Sequence, residues 1–191
     1  MKINKLFLSI VVFLLLIKCK NTSNYNRTLE QELNSGKNFD TLIFGMKLGQ
    51  TKDQYHDICY QLNKEKKIVS GSRNLNPELI LKSKPSRSIP KNIQMSFNGV
   101  FNKKNIMKGL EMNFHYTGWS NWNKEYQSEM LFEEIKDSLT SWFNGNSFFK
   151  LKTKEKKLID VKIDGNRQIV VFTKGSKDVI VIVEDLSDRF K

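Results

Sequence analysis

The side chains best suited to chemistry are few in this sequence, and they lie far apart along the chain. It has two histidines, His56 and His115, and neither has a partner at metal-ligand spacing. A phosphate-binding glycine loop and a nucleophilic serine elbow are also missing from the sequence. We therefore predict no catalytic residue, no metal site and no cofactor.

Aromatic residues form the first candidate binding site. Tyr116, Trp119 and Trp122 lie close together among Asn and Ser residues, and Trp142 follows later. Exposed Trp and Tyr rings can stack on a sugar or hold a peptide, so these four residues are the predicted ligand contacts. The alternative is that the same rings fill the space between a helix and a sheet, because they are large and mostly apolar.

A basic run forms the second candidate surface. Its members are Lys150, Lys152, Lys154, Lys156 and Lys157. Lysines near a bilayer are attracted to anionic head groups, which predicts contact with an anionic surface. The alternative is an ordinary solvated loop.

The start of the chain has the parts of a secretory signal. Lys2 and Lys5 precede the apolar residues 6–17, and Cys19 follows. As a helix this run spans about 18 Å, which is too short for the roughly 30 Å of hydrocarbon in a bilayer. The pattern therefore predicts an export signal and not a membrane anchor.

Residues 16–19, LIKC, resemble the lipobox of bacterial lipoproteins, in which the cysteine is acylated and becomes the first mature residue. Lys18 departs from that pattern, which has a small residue before the cysteine. The resemblance implies a signal peptide over residues 1–18, a lipidated Cys19 and a membrane-anchored lipoprotein that faces the periplasm or the cell surface.

The charge of the chain bears on its partners. The formal net charge is +12, and without the three lysines of residues 1–18 it is +9. Such a field favours anionic surfaces. Nucleic acid is not an expected partner, because Arg is scarce beside Lys and an exported protein rarely meets DNA. The expected partners are the membrane, through the lipid, and an envelope protein or a glycan.

We predict one folded domain over residues 39–191, joined to the lipid by a flexible polar tether over residues 19–38. The domain is α+β, with two helices packed on an antiparallel sheet. Thr51 and Gln54 form a capping box for the first helix, which ends near Lys66. The second helix runs over residues 124–143 with Asn123 as its cap. Strands are predicted at 79–81, 93–98, 110–116, 159–163, 169–173 and 179–183.

Both halves of the domain have a helix followed by strands, which suggests a tandem repeat of helix and β-meander. Residues 44–55 resemble the start of the small outer-membrane-assembly lipoproteins and of the β-lactamase-inhibitor-protein fold. The segments FGM (44–46), LN (62–63) and YTGWSNWN (116–123) are similar to uncharacterised envelope lipoproteins. That second resemblance implies a location in the envelope but no activity.

Cysteine use fits this organisation. With Cys19 acylated, Cys59 has no partner for an intramolecular disulfide, and we predict that it is a small buried residue. The function predicted for the chain is a binding or structural module of the cell envelope. The alternative is a hydrolase-like envelope enzyme with a site near His115 or near the loop of Trp119 and Trp122. A pocket that joins a histidine to a carboxylate would favour the enzyme.

Overall fold

The computed structural model describes residues 24–71, 76–82, 91–153 and 157–189 of the chain. The predicted signal peptide and Cys19 lie outside the described residues. Within them the helices are α1 (Asn24–Asn34), α2 (Lys52–Lys64) and α3 (Ser128–Trp142). The strands are β1 (Val69–Ser70), β2 (Pro77–Leu81), β3 (Ile93–Phe101), β4 (Met107–Tyr116), β5 (Phe149–Lys152), β6 (Leu158–Asp164), β7 (Arg167–Lys174) and β8 (Asp178–Asp185).

The described strands form one eight-stranded antiparallel sheet in the order β1-β2-β3-β4-β8-β7-β6-β5. The predicted mixed α+β class is therefore confirmed. The main core contains apolar side chains of α2 and α3 together with alternate residues of β3, β4, β7 and β8. The predicted strand at 179–183 lies in the middle of the sheet, and Val179, Val181 and Val183 are buried.

Local capping signals in the sequence define α2. The Thr51 hydroxyl accepts a hydrogen bond from the Gln54 amide, and the Gln54 side chain accepts one from the Thr51 amide, which confirms the predicted capping box. Tyr55 and Leu62 are buried on the helix face that meets the core. α2 ends at Lys64, close to the predicted end.

The second predicted helix begins later than expected. Asn123 does cap a helical turn, because its side chain accepts a hydrogen bond from the Glu125 amide, but that turn is a short 3-10 helix, Lys124–Tyr126. α3 starts afterwards and buries Leu131, Ile135 and Leu139 in the main core. The predicted helix was therefore right in its apolar stripe and wrong in its first turn.

The predicted flexible tether over residues 19–38 is wrong for Asn24–Asn34, because these residues form α1. The apolar residues Tyr25, Leu29 and Leu33 recur every four positions, a helical spacing that the polar composition of the segment had concealed. They pack against a second, smaller apolar cluster formed mainly by β6. This cluster lies on the sheet face opposite to the main core, so the folded unit begins at least as early as Asn24.

β6 is therefore covered on both of its faces. Val161 and Ile163 pack with α1, so Asp160, Lys162 and Asp164 face the main core and are buried. Alternation of apolar and charged residues is usually typical of a strand with one face exposed to solvent. Here the apolar face is the one that α1 covers, and the charged face lies beneath the end of α3.

The two outermost strands were not predicted. β1 has two residues and lies outside β2, so the predicted 79–81 edge strand is the second strand of the sheet. Part of the predicted basic loop forms the edge strand β5, in which Lys150 and Lys152 are exposed. Lysines on an edge discourage pairing with strands of other molecules.

We predict that replacing Leu29 with alanine destabilises the fold, because Leu29 is buried between α1 and β6. Removal of a buried leucine side chain should lower the free energy of unfolding by about 2–4 kcal/mol. Urea unfolding of the full chain measures this change. The matched control is Glu30→Ala, because Glu30 is exposed on the same helix. Equal stability of the two variants would contradict the docking of α1.

Candidate functional site

Tyr116, the first predicted ligand contact, is a core residue. Its ring is fully buried, and its hydroxyl donates a hydrogen bond to the Glu134 carboxylate at 2.6 Å. The ammonium of Lys91 lies over the Tyr116 ring at 5.7 Å and over the Tyr126 ring at 5.1 Å. Because Lys91 already occupies the face of this ring, Tyr116 cannot stack on a ligand in this arrangement.

Trp119 and Trp122 differ in their surroundings although they are three residues apart. The Trp119 indole is half-buried and donates a hydrogen bond to the Ser176 carbonyl, which ties its loop to the β7–β8 turn. The Trp122 side chain is 95% exposed. Trp122 is therefore the residue of this loop that a partner can reach.

Trp142 lies at the opposite end of α3 from this loop. It is 39% exposed, and its ring centroid lies 6.4 Å from that of Phe114. Together with Ile43, Phe44, Leu81 and Met95 it lines an apolar cavity of about 380 Å³. The structure thus divides the four predicted ligand contacts among a buried core position, a loop and the far end of a helix.

The predicted basic surface is described only in part. Lys150 and Lys152 are exposed on β5, and Lys157 is exposed just before β6. Lys154 and Lys156 lie outside the described residues. The three described lysines are accessible to an anionic surface from one edge of the sheet.

His115 is half-buried on the face of β4 that turns away from the main core. Its Nδ1 lies 3.7 Å from the Asp178 carboxylate, too far for a hydrogen bond, and has no hydrogen-bond partner. Burial is the main cause that lowers the pKa of His115, and Lys177 lowers it further against the opposing charges of Asp178 and Glu78. The cavities among the described residues that are lined by Trp142, by Tyr55 or by Phe172 do not include His115 in their walls.

A buried charge cluster on β6 and β7 was not predicted. The Lys162 ammonium donates a hydrogen bond to the Phe143 carbonyl, and the Arg167 guanidinium donates to the carbonyls of Asn144 and Thr41. The Asp164 carboxylate lies between them, 3.0 Å from Arg167 and 3.6 Å from Lys162. These cations satisfy carbonyl groups at the end of α3, so the cluster has a structural role.

Gly145 follows α3, and two constraints require glycine there. Its φ of +135° is rarely adopted by residues with a side chain. A Cβ at this position would also lie 2.1 Å from the Asp164 carboxylate. The turn after α3 thus brings its backbone against the buried charge cluster.

A cavity beside α2 was also missed by the sequence analysis, and we call it the α2 cavity. Its volume is about 350 Å³. Its described lining consists of Tyr55, His56, Cys59, Tyr60, Asn63, Ile68, Val69, Ser70, Asn76, Pro77 and Asn98. Most of these residues come from α2 and the turn into β1, and Asn98 comes from β3. A third cavity, about 570 Å³, lies between the start of β6 and the end of β7.

Tyr55 and Cys59 both line the α2 cavity. Tyr55 is only 4% exposed, and its hydroxyl interacts with the Cys59 thiol and the Gly99 backbone. Burial is the main cause that raises the pKa of Tyr55. Cys59 is half-buried and not fully buried as predicted, and burial raises the pKa of its thiol as well.

Among residues 24–71, 76–82, 91–153 and 157–189 there is no group of three His, Cys, Asp or Glu side chains that could hold a metal ion. In the same part of the chain, no helix has the length and apolar character needed to cross a bilayer.

Comparison with known proteins identified no relative of this chain. No protein-family model matches it, and neither a curated protein nor a solved structure is significantly similar to it.

We predict that His115 makes stability depend on pH. Because burial lowers the folded-state pKa of His115, the unfolded chain binds a proton more readily. The free energy of unfolding should therefore fall as the pH drops below the unfolded value of about 6.5, and level off below the folded value. Urea unfolding at neutral and mildly acidic pH measures this loss.

His115→Gln removes the group responsible and should reduce the loss of stability between the two pH values. His56→Gln is the matched control, because His56 is exposed on α2. A His115→Gln variant with the same pH dependence as the wild-type chain would contradict the burial of a neutral imidazole.

Proposed function

We propose that this protein is an exported lipoprotein, acylated at Cys19 after removal of residues 1–18, whose α+β domain is a binding module at the membrane surface. The domain faces the periplasm or the cell surface. The support for export and acylation is in the sequence, where two lysines, a short apolar run and a cysteine follow one another. The protein accordingly belongs with the envelope lipoproteins that its sequence resembles.

The position of α1 supports a close attachment to the bilayer. α1 begins at Asn24, and five residues of extended chain reach at most about 18 Å from Cys19. α1 is itself fixed to the sheet, because Tyr25 donates a hydrogen bond to Gln168 and Glu32 accepts one from the Gly165 amide. A lipid on Cys19 would therefore keep the domain next to the membrane.

This proximity gives the positive charge of the chain a role. Salt screens charges beyond about 10 Å at 0.1 M ionic strength, so only a domain held close to the surface senses anionic head groups. The mature chain carries +9, and Lys150, Lys152 and Lys157 are exposed at one edge. We propose this edge as the contact with an anionic surface, together with Lys154 and Lys156.

The observation that carries a binding role is the α2 cavity, which has a volume of about 350 Å³ and a described lining of aromatic, amide and hydroxyl side chains. Side chains of these kinds can hold a small ligand through hydrogen bonds and ring contacts. His56 lines the same cavity, but no Asp or Glu is among the described residues around it. The arrangement therefore favours binding over acid–base chemistry.

The loop of Trp119 and Trp122 is proposed as a second contact, for an envelope protein or a glycan. The exposure of Trp122 supports this role, and the anchoring of Trp119 to Ser176 holds the loop in place. Tyr116 is no longer part of the proposed contact, because its ring is buried under Lys91. Trp142 is too distant to contribute to it.

An envelope hydrolase is the second candidate function. It is favoured by the proximity of His115 to Asp178, in which a carboxylate lies near an imidazole with a free Nδ1. A shift of less than 1 Å would bring the pair within hydrogen-bond distance. Hydrolysis of ester or glycoside substrates that is lost in His115→Gln and kept in His56→Gln would establish this function.

We also infer that the domain consists of two halves in which helix and strands follow one another in the same order. α2 precedes β1 to β4, and α3 precedes β5 to β8. In the sheet the fourth strand of each half is innermost and the first is outermost, so the two halves are related by an approximate twofold axis. This order supports the predicted tandem repeat, with one of the two helices packed over each half.

We predict that cells supplied with a palmitate analogue label the wild-type chain and not Cys19→Ser. The reason is that a lipoprotein receives its acyl chains on the cysteine of the lipobox. Mass spectrometry should locate the label on Cys19 of a chain that lacks residues 1–18. Cys59→Ser is the control and should keep the label. An unlabelled wild-type chain that retains its leader would contradict the proposal.

A further inference from the structure

We propose that the third cavity, which we call the β6–β7 cleft, binds a single-chain anionic lipid. The hydrocarbon chain lies on the apolar floor of the cleft, and Lys157 and Lys174 contact the charged head group. This inference deepens the contact with an anionic surface proposed above and rests on it, because Lys157 takes part in both.

The pairing of the strands opens the cleft. The ladder between β6 and β7 begins at the pair Asp160–Val171, whereas β7 remains paired with β8 as far as Lys174. β5 follows β6 as far as Leu158. The first residues of β6 therefore separate from the end of β7. The space between them has a volume of about 570 Å³, which is within the range of ligand pockets.

Apolar side chains form the floor of the cleft. Ile159, Val170 and Phe172 line it and are half-buried, and Leu158 in the same lining is 65% exposed. The apolar surface continues onto β8, because Phe172 lies opposite Ile180 and opposite residues share a face of the sheet. A hydrocarbon chain bound here would remove its own surface and that of the floor from water, which favours binding.

The direction of α1 leaves this part of the sheet accessible. Tyr25 near the start of α1 donates a hydrogen bond to Gln168, and Glu32 near its end accepts one from the Gly165 amide in the β6–β7 turn. α1 therefore covers the turn end of this hairpin, where Ile163 is buried. The cleft lies at the opposite end, and every described residue that lines it is half-buried or exposed.

Two lysines provide the charge at the mouth of the cleft. Lys157 just before β6 and Lys174 at the end of β7 both line the cleft and are exposed. The carboxylate residue Asp178 lies opposite Lys174 on β8, across β7 from the cleft. A carboxylate or phosphate head group would complement the two ammonium groups, whereas an uncharged head group would not.

The experiment uses the full-length protein in phosphatidylcholine nanodiscs, because a detergent would compete for the cleft. Four probes carry the same single hydrocarbon chain with a diazirine. The fatty acid and the lysophosphatidylglycerol are anionic, whereas the lysophosphatidylcholine and the fatty alcohol have no net charge. After irradiation, peptide mass spectrometry locates the adducts.

At least one anionic probe should label the segments 158–162 and 168–174, which contain the floor of the cleft. The probes without net charge should need a several-fold higher concentration for the same labelling. Labelling by the fatty acid alone would assign a carboxylate head group to the ligand. Labelling by the lysophosphatidylglycerol alone would assign a phosphate head group.

Two double variants test the contact with the head group. Lys157→Gln with Lys174→Gln should raise the concentration for half-maximal labelling about three- to tenfold, because two exposed charge contacts are lost. Lys150→Gln with Lys152→Gln is the matched control, since it removes the same charge outside the described lining of the cleft. The control should leave that concentration nearly unchanged. All four lysines are exposed, so both double variants should remain folded.

Phe172→Ala tests the apolar floor and should raise the same concentration about tenfold, because less apolar surface is removed from water. Phe132→Ala is its control, because Phe132 is half-buried on α3 and outside the described lining of the cleft. Urea unfolding of both variants measures whether they remain folded. The lysine variants keep the test decisive if Phe172→Ala does not fold.

The proposal is overturned if neither anionic probe labels the two segments, or if the fatty alcohol labels them as readily as the fatty acid. An equal effect of the two lysine pairs would overturn it as well. These outcomes are separable from failure of the proposed function. Labelling of the cleft in Cys19→Ser would leave the cleft proposal standing without a lipid anchor. A protein that sediments with phosphatidylglycerol vesicles but has no adducts in the two segments would keep the membrane contact and lose only the cleft proposal.

Discussion

The pairing of β8 with β4 is the constraint on which the rest of the fold depends. β8 is the last strand, yet it lies between β4 and β7, in registers such as Met112 opposite Val181 and Val171 opposite Val181. Among the described strands, the pairing of β4 with β8 joins the first four strands of the sheet to the last four. The main core therefore forms only when the end of the chain has been placed, which is typical of folds with distant contacts and slow folding.

The second constraint follows from how that sheet is covered. α1 takes the apolar face of β6, so the charged face of the same strand is turned toward the end of α3. Burial of charge is unfavourable unless every charge has partners. Lys162 and Arg167 meet this condition by binding the carbonyls of Phe143, Asn144 and Thr41, with Asp164 as counter-ion. The docking of α1, the charge cluster and the end of α3 therefore depend on one another.

Sequence patterns predicted the elements whose signals are local. The capping box of Thr51 and Gln54 located α2, and the alternation at 93–98 located β3. The patterns failed where a distant element decides the outcome. The stripe of Tyr25, Leu29 and Leu33 is too sparse to identify without the β6 surface that it covers. β1 and β5 are too short for any periodicity, and pairing with longer neighbours defines them.

The candidate site was harder to predict because the same residue types serve two purposes. Tyr116 and Trp122 are equivalent as aromatic residues in a sequence, but one is buried and the other is 95% exposed. The polar residues of the α2 cavity, such as Asn63 and Asn98, have no spacing that distinguishes them from an ordinary surface. Only the fold brings the end of α2 next to β3.

Tyr55 illustrates how one side chain takes part in both packing and polar contacts. Its ring packs edge-on against Phe101 with centroids 5.5 Å apart, a contact that phenylalanine would also make. Its hydroxyl interacts with the Cys59 thiol and the Gly99 backbone, and burial raises the pKa of both Tyr55 and Cys59. Phenylalanine would keep the ring contact and remove the polar neighbour of the thiol. The hydroxyl therefore acts on the wall of the α2 cavity, and the ring acts on the core.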